Sequence, residues 1–144
     1  MAPFHHHHRL TFVKVAFTHH HHHSHHNWLA WFFRIKGDSM FTPGPVTLVV
    51  GGTTTATVLG FDQNGNLMAL PPGTTVTFSI DNTAVATSTP NADNLTDAIV
   101  AVGGGVANLS ATVVAPNGTF SDSETVTVTD VVPVLSSVKV AFGS

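Results

Sequence analysis

Between Thr75 and Ile80, apolar and hydroxyl-bearing side chains alternate strictly along the chain. Val76, Phe78 and Ile80 fall on one side of an extended backbone, and the intervening threonine and serine residues fall on the other. This period of two predicts a β-strand that turns one row of side chains into a core and the other row into water. Asp81 follows directly, and its short polar side chain can bond nearby backbone groups and end the strand.

The composition favours strands over helices throughout the chain. Charged residues make up only 9% of the 144 residues, and Thr, Val, Ala and Gly are abundant. Such a mixture is typical of β-strands joined by tight turns, and a chain of this length predicts one domain with its own core. The sequence contains no cysteine, so neither disulfides nor thiolate chemistry contribute.

The charges divide the chain into two unlike parts. Residues 1–39 carry four basic side chains against Asp38, a net charge of +3, whereas residues 40–144 carry Lys139 against seven acidic side chains, a net charge of −6. An acidic body repels nucleic acid and anionic lipid, so we expect neither as a partner. We therefore divide the chain into an N-terminal arm, residues 1–39, a body, residues 40–131, and a C-terminal β tail, residues 132–144.

The N-terminal arm holds all 11 histidines. Imidazoles at this density predict adventitious affinity for transition metals, but nothing in the pattern provides the rigid spacing of a structural or catalytic zinc site. A purification tag, low-complexity sequence, or a translated leader upstream of a true start at Met40 would also explain this segment. The histidines are His5, His6, His7, His8, His19, His20, His21, His22, His23, His25 and His26.

An aromatic run from Trp28 to Phe33 follows the histidines. It is far shorter than the roughly 20 apolar residues that span a bilayer, so we expect no transmembrane segment. Trp28 and Trp31 are expected to pack on the body or on a neighbouring subunit, with anchoring at a membrane surface as the alternative.

The body reads as a series of six to eight short strands separated by Gly, Pro and Asn-Gly turns. This spacing predicts an all-β fold, an antiparallel sandwich of about seven strands. Residues 106–114 show the pattern well, because Ala107, Leu109, Ala111 and Val113 alternate with polar residues. The other predicted strands cover residues 46–50, 53–62, 74–80, 98–102 and 124–130.

A polar segment after the second predicted strand has two interpretations. Asp62, Asn64 and Asn66 have the D-x-N-x-N spacing that opens a calcium loop, but Leu67 stands where the loop glycine belongs, and no acidic residue occupies its twelfth position. The other interpretation is a turn braced by side chains, which the Asn-Gly pair favours.

Three segments carry a family resemblance: VTLVVGGTTTATV, FSIDNTAVAT and AIVAVGGGVANLSATV. Together they resemble the group 2 bacterial immunoglobulin-like domain over residues 45–130, and the DQNGN segment with Val76 to Phe78 is similar to the invasin and intimin type. Phe78 replaces the tryptophan common at its position. The resemblance implies an immunoglobulin-like sandwich and an extracellular, cell-surface or virion module that serves in adhesion or as a rigid spacer.

The pentapeptide VKVAF occurs twice, at residues 13–17 and 138–142. Each copy predicts a strand, and we expect both to act as edge or added strands that pair with each other or with a neighbouring subunit; chance recurrence in a valine-rich sequence is the alternative. The predicted interface residues are Val13, Val15, Phe17, Trp28, Trp31, Val138, Val140 and Phe142.

The residue inventory argues against an enzyme. Residues 40–144 contain no His, Cys or Tyr and a single Lys and Glu, so no Ser-His-Asp or Cys-His constellation can form there, and we expect no cofactor. One function that fits is a binding or spacing module whose loops 62–67, 82–94 and 115–121 contact a protein or carbohydrate ligand. The other is a self-assembling subunit, such as a virion or particle decoration protein, whose arm and tail pair with other copies.

Overall fold

The computed structural model describes residues 9–19, 33–34 and 40–131. Within them, eleven strands and no helix are present. The all-β prediction is confirmed. The strands are β1 (Leu10–His19), β2 (Phe33–Arg34), β3 (Met40–Pro43), β4 (Val46–Val49), β5 (Thr53–Asp62), β6 (Leu67–Met68), β7 (Thr75–Ile80), β8 (Ala86–Pro90), β9 (Thr96–Ala101), β10 (Gly105–Ala115) and β11 (Gly118–Thr129).

The strands form two sheets that face each other across one core. The first sheet has the order β2-β3-β1-β5-β9-β8, with β6 also paired to β5, and its pairings are antiparallel. The second sheet has the order β4-β11-β10-β7. Its β4 runs parallel to β11, which an all-antiparallel prediction did not include. In the described part of the chain, no helix is long and apolar enough to cross a membrane.

Alternation along the strands builds the core as the sequence predicts. In β10, Ala107, Leu109, Ala111 and Val113 are all buried, while the residues between them are more exposed. Phe78 of β7 is buried beside them, because β7 pairs with β10. Each of these side chains lies in the single large cluster between the sheets, and burial of apolar area is the main term that stabilises such a core.

Strand β11 is longer than the sequence predicts. It begins at Gly118 rather than near Glu124, and its pairing with β10 continues without a break from Ala115↔Gly118 to Gly105↔Val128. Only two residues separate the strands, so a tight hairpin fixes the register of everything that follows. Residues 119–123, all polar except Phe120, are therefore strand because β10 pairs with them, although their composition is typical of a loop.

The main departure from the sequence analysis is β1. It lies within residues 1–39, the proposed separate arm, yet it pairs with β5 on one side and with β3 on the other. Its Val15, Ala16 and Phe17 are completely buried. Residues 10–19 therefore belong to the sandwich, and a body beginning at Met40 would lack an interior strand of its own first sheet.

Candidate functional site

The position of β1 in the sandwich is defined by specific contacts on several sides. We call this position the β1 slot: β3 and β5 pair with the strand that occupies it, and the side chains of Asn117 and Asp122 bond that strand from the opposite sheet. Leu10, Val13, Val15 and Phe17 point from it into the core, and β1 also contacts β10 and β11 of the opposite sheet. The slot therefore joins the two sheets at one side of the sandwich.

The outer side of β1 makes a second, smaller apolar contact. Phe12 and Phe61 stack with ring centroids 4.8 Å apart and planes 7° from parallel. Ala16 forms a cluster with Leu59 and Phe61, against which Leu67 packs. Leu10 and Phe12 lie two residues apart, yet Leu10 faces the core and Phe12 faces Phe61 on the outer side. A register shift between them accounts for this difference. Both faces of β1 are thus in contact with the rest of the chain.

Asp122 of β11 anchors the middle of β1. Its Oδ2 accepts a hydrogen bond from the Val15 backbone N–H at 2.7 Å, and its Oδ1 lies 3.2 Å from Lys14 Nζ. A charged acceptor on a buried backbone donor is among the stronger hydrogen bonds in proteins. Glu124 lies close by, and its pKa is raised by burial and then by the negative charge of Asp122, while Lys14 lowers it.

Further polar contacts hold the two ends of β1. At its start, Asn117 Nδ2 donates to the Leu10 carbonyl at 2.8 Å, and Arg9 Nη2 donates to the Asn117 carbonyl at 3.2 Å. At its end, the Thr54 hydroxyl donates to the Thr18 carbonyl at 3.0 Å. These bonds fix the register of β1 along its whole length.

The sequence predicts an interface role for Val13, Val15 and Phe17, but the structure buries them in the core of their own chain. The alternation identified a strand correctly, whereas its pairing partner, β5, lies about 40 residues further on and could not be identified locally. The other predicted interface residues, Trp28, Trp31, Val138, Val140 and Phe142, lie outside the described residues.

Of the histidines that the sequence predicts to bind metal, His19 alone lies in the described part of the chain. His19 is the last residue of β1, where its backbone pairs with Met40, and the remaining histidines lie outside the described residues. Among the described residues, no group of three or more His, Cys, Asp or Glu side chains could hold a metal ion.

The candidate calcium segment forms a braced turn. Asp62 is buried, and its Oδ1 accepts the backbone N–H groups of Asn64 at 2.8 Å and Asn66 at 2.9 Å. Its Oδ2 lies 3.4 Å from Asn66 Nδ2. Gly65 has φ +78° and also donates its N–H to the Asp62 carbonyl at 3.0 Å. Asp62 is thus used to hold the turn that leads β5 into β6.

Three further aspartates, Asp81, Asp93 and Asp130, have the same use. Asp81 accepts both the backbone and side-chain N–H groups of Asn108, which lowers its pKa. Asp93 accepts the backbone N–H of Leu95 and of Thr96, which lowers its pKa as well. Asp130 accepts the Gly104 N–H at 3.2 Å. These carboxylates stabilise turns and strand ends, where backbone donors would otherwise lack a partner.

Asp97 differs from these aspartates, because it lies within a strand and in a buried environment. It is completely buried and faces the core, with the Ser88 hydroxyl donating to its Oδ2 and, among the described residues, no hydrogen-bond partner at Oδ1. Burial raises its pKa, while the hydrogen bonds from the Ser88 hydroxyl and the Thr89 backbone N–H act in the opposite direction. The burial of Asp97 could not be predicted from the sequence, because Asp97 follows a polar turn in which an aspartate is normally exposed.

The raised pKa of Asp97 makes the effect of Asp97→Asn depend on pH. The folded state holds this proton to a higher pH than the unfolded state, so the Asp97 contribution to stability falls as pH rises from the unfolded to the folded pKa. We expect Asp97→Asn to remove this pH dependence, so that its stability relative to the parent rises as the pH increases towards neutral. Urea unfolding of both proteins between roughly pH 3 and pH 7 measures this relative stability, which should fall towards the acid end.

An open groove lies at the other side of the first sheet. It has a volume of about 810 Å³ and is lined by residues 57–60 of β5, by the segment 67–74, and by Asp93, Leu95 and Thr96. Most of the lining is apolar, and no reactive pair of side chains faces it. The sequence analysis did not identify this groove, because its walls come from three distant segments.

The geometry defines the class of this protein as an all-β sandwich in which a strand from the first 20 residues completes the core. No protein-family model matches the chain, and a search of curated proteins gives no match. Among solved structures, domains 4 and 5 of the S-layer protein SbsC match at 22% identity with a TM-score of 0.44, covering 67% of this chain and 51% of that chain.

A second solved structure, domains 4–9 of the surface layer protein SbsC, matches at 21% identity with a TM-score of 0.46. The match covers 65% of this chain and 14% of that one. This chain therefore spans about half, or much less, of the length of the solved chains that it matches.

Proposed function

We propose that this chain is a non-enzymatic structural module, displayed at a cell surface or outside the cell, that carries mechanical load between the units it connects. Its resemblance to bacterial immunoglobulin-like domains supports the extracellular location and the role as a spacer. The use of carboxylates supports the absence of catalysis, since Asp62, Asp81, Asp93 and Asp122 all hold backbone donors.

The parallel pairing of β4 with β11 is the observation that carries this proposal. Val46 pairs with Val126 and Val49 with Thr129, and the Val50 N–H extends the ladder to the Thr129 carbonyl at 3.1 Å. Load from the N-terminal side enters through β1, which runs beside β11 in the same direction, with Leu10 bonded to Asn117 and Val15 to Asp122. Pulling β1 or β4 towards its start and β11 towards its end therefore loads the contacts to β11 together, in shear. A hairpin pulled at its open end instead breaks its bonds one after another.

Force spectroscopy on the full chain tests the proposed role. The sequence has no cysteine, so a pair introduced as Pro45→Cys and Val131→Cys applies force across β4 and β11 alone. The matched control, Val102→Cys with Val131→Cys, pulls β10 and β11 apart from the open end of their hairpin. We expect a clearly higher peak force for the first pair. Equal forces from the two pairs would contradict a load-carrying role.

The groove beside β5 favours a second function, binding of an extended protein or carbohydrate ligand. Its volume of about 810 Å³ falls in the range of small-molecule sites, roughly 300–1,000 Å³. Two of its lining residues, Leu67 and Asp93, lie in segments that the sequence predicts to carry recognition, residues 62–67 and 82–94.

A further inference from the structure

The β1 slot has a second potential occupant within the sequence. Residues 10–17 read LTFVKVAF, and residues 135–142 read LSSVKVAF. The two segments differ only where Ser136 and Ser137 replace Thr11 and Phe12. The match is therefore longer than the shared pentapeptide, because Leu135 corresponds to Leu10 at the same spacing.

The burial of β1 shows which of its positions the slot requires. Leu10, Val13, Val15, Ala16 and Phe17 are all buried, and each is repeated without change in the tail segment. The two positions that differ, Thr11 and Phe12, are exposed. If the repeat were a coincidence in a valine-rich sequence, the identical positions would not be expected to coincide with the buried ones. If both segments compete for one slot, the buried positions have to be identical.

The polar anchors of the slot would accept the tail equally well. Lys139 corresponds to Lys14, which pairs with Asp122, and the Val140 backbone N–H corresponds to that of Val15, which donates to the same carboxylate. The bonds of Asn117 to Leu10 and of Thr54 to Thr18 involve backbone carbonyls, so they do not depend on side-chain identity.

We propose that residues 135–142 of one copy of this chain occupy the β1 slot of a second copy, in place of that copy's own β1. A strand inserted into a sheet gains affinity from main-chain hydrogen bonds and specificity from alternate side chains in pockets. The contact is head-to-tail, so each copy offers one tail and one slot, and the copies form a closed ring where the rotation between them closes or an open linear assembly where it does not. This inference rests on the proposed structural role and identifies the partner in that role as a second copy of the chain.

The reach of the tail decides between a second copy and the same chain. Leu10 lies beside Asn117, at the start of β11, whereas β11 ends at Thr129, six residues before Leu135. Twelve residues at about 3.3 Å each separate these points by roughly 40 Å. The six residue steps from Thr129 to Leu135 extend to about 22 Å at most. The tail is therefore too short to place Leu135 in the slot of its own chain.

The resident β1 competes through its tether. Because it belongs to the same chain, its effective concentration at the slot is on the order of millimolar. The parent protein should therefore be mostly monomeric when dilute and should assemble as the concentration rises. A substitution that weakens only β1 should increase the fraction of slots occupied by the tail of another copy. Equal weakening of β1 and of the tail should return that fraction to its value in the parent.

Light scattering on four full-length proteins tests this competition: the parent, Val15→Ala, Val140→Ala, and the double variant. We expect Val15→Ala to assemble at a concentration roughly tenfold lower than the parent. Val140→Ala and the double variant should not show that shift. Identical masses for the parent and a folded Val15→Ala at every concentration would overturn the proposal, as would assembly that persists unchanged in the double variant.

A peptide measurement covers the case in which Val15→Ala does not fold. A synthetic peptide of residues 133–144 is added to the full chain carrying Val15→Asp and Val140→Asp, which disables both internal strands. We expect the peptide to restore the β-sheet circular dichroism and the thermal transition, and the same peptide with Val140→Asp to have no effect. No response to either peptide would contradict the proposal. Both tests are independent of the force across β4 and β11, so either proposal can fail alone.

Discussion

Phe17→Ala is expected to lower the free energy of unfolding by about 3–5 kcal/mol. Phe17 is completely buried and is among the largest side chains of the core. Removing the ring loses its transfer free energy and leaves a cavity between the two sheets. Because a domain of this size is stable by only about 5–15 kcal/mol, the variant should be marginally folded. Urea unfolding, followed by circular dichroism, measures the change.

The chain contains a matched control for this substitution. Phe142 has the same four preceding residues, VKVA, as Phe17. In dilute solution, where the slot holds β1, we expect Phe142→Ala to unfold at the same urea concentration as the parent, within about 0.5 kcal/mol. Equal losses from both substitutions would show that β1 is not the segment that completes the core.

Asp122→Ala is expected to cost about 2–3 kcal/mol. The substitution leaves the backbone N–H of the buried Val15 without its acceptor at 2.7 Å, and it also removes the partner of Lys14. Most of the loss comes from the buried donor, since a half-exposed ion pair contributes at most about 1 kcal/mol. The free energy of unfolding at neutral pH measures the effect.

Asp122→Asn separates the two contributions. Its side-chain carbonyl can still accept the Val15 N–H, whereas the charge opposite Lys14 is lost. We expect Asp122→Asn to lose less than half of the stability that Asp122→Ala loses. If the two variants were equally destabilised, the ion pair rather than the buried donor would anchor β1.

Local pattern was sufficient for the parts of the fold that depend on alternation. The sequence predicts β5 with its observed bounds, residues 53–62, and it predicts the inward face of β10 residue by residue. These strands can be predicted from the sequence because hydroxyl-bearing and apolar residues alternate at a period of two, as burial of a single face requires. The turn at Asp62 was also one of two stated interpretations of its polar segment.

Long-range pairing determined what the sequence analysis missed. The basic and histidine-rich composition of residues 1–39 indicated a separate arm, although β1 within it lies between β3 and β5. The polar start of β11 resembled a loop, and only its register with β10 makes it a strand. Asp97 is buried as well, and its partner Ser88 lies on the neighbouring strand β8. Such features follow from which segments meet, and periodicity within one segment carries no information about that.

Hydrogen exchange on the full chain tests most directly whether β1 is an interior strand. Amides of an interior strand exchange only when the fold opens, whereas amides of an appended arm exchange freely. Mass spectrometry can compare the peptide of residues 10–17 with that of residues 105–115, the central strand β10. We expect protection of the two peptides to agree within about tenfold. Exchange of residues 10–17 at the rate of an unstructured peptide, with residues 105–115 still protected, would contradict this account.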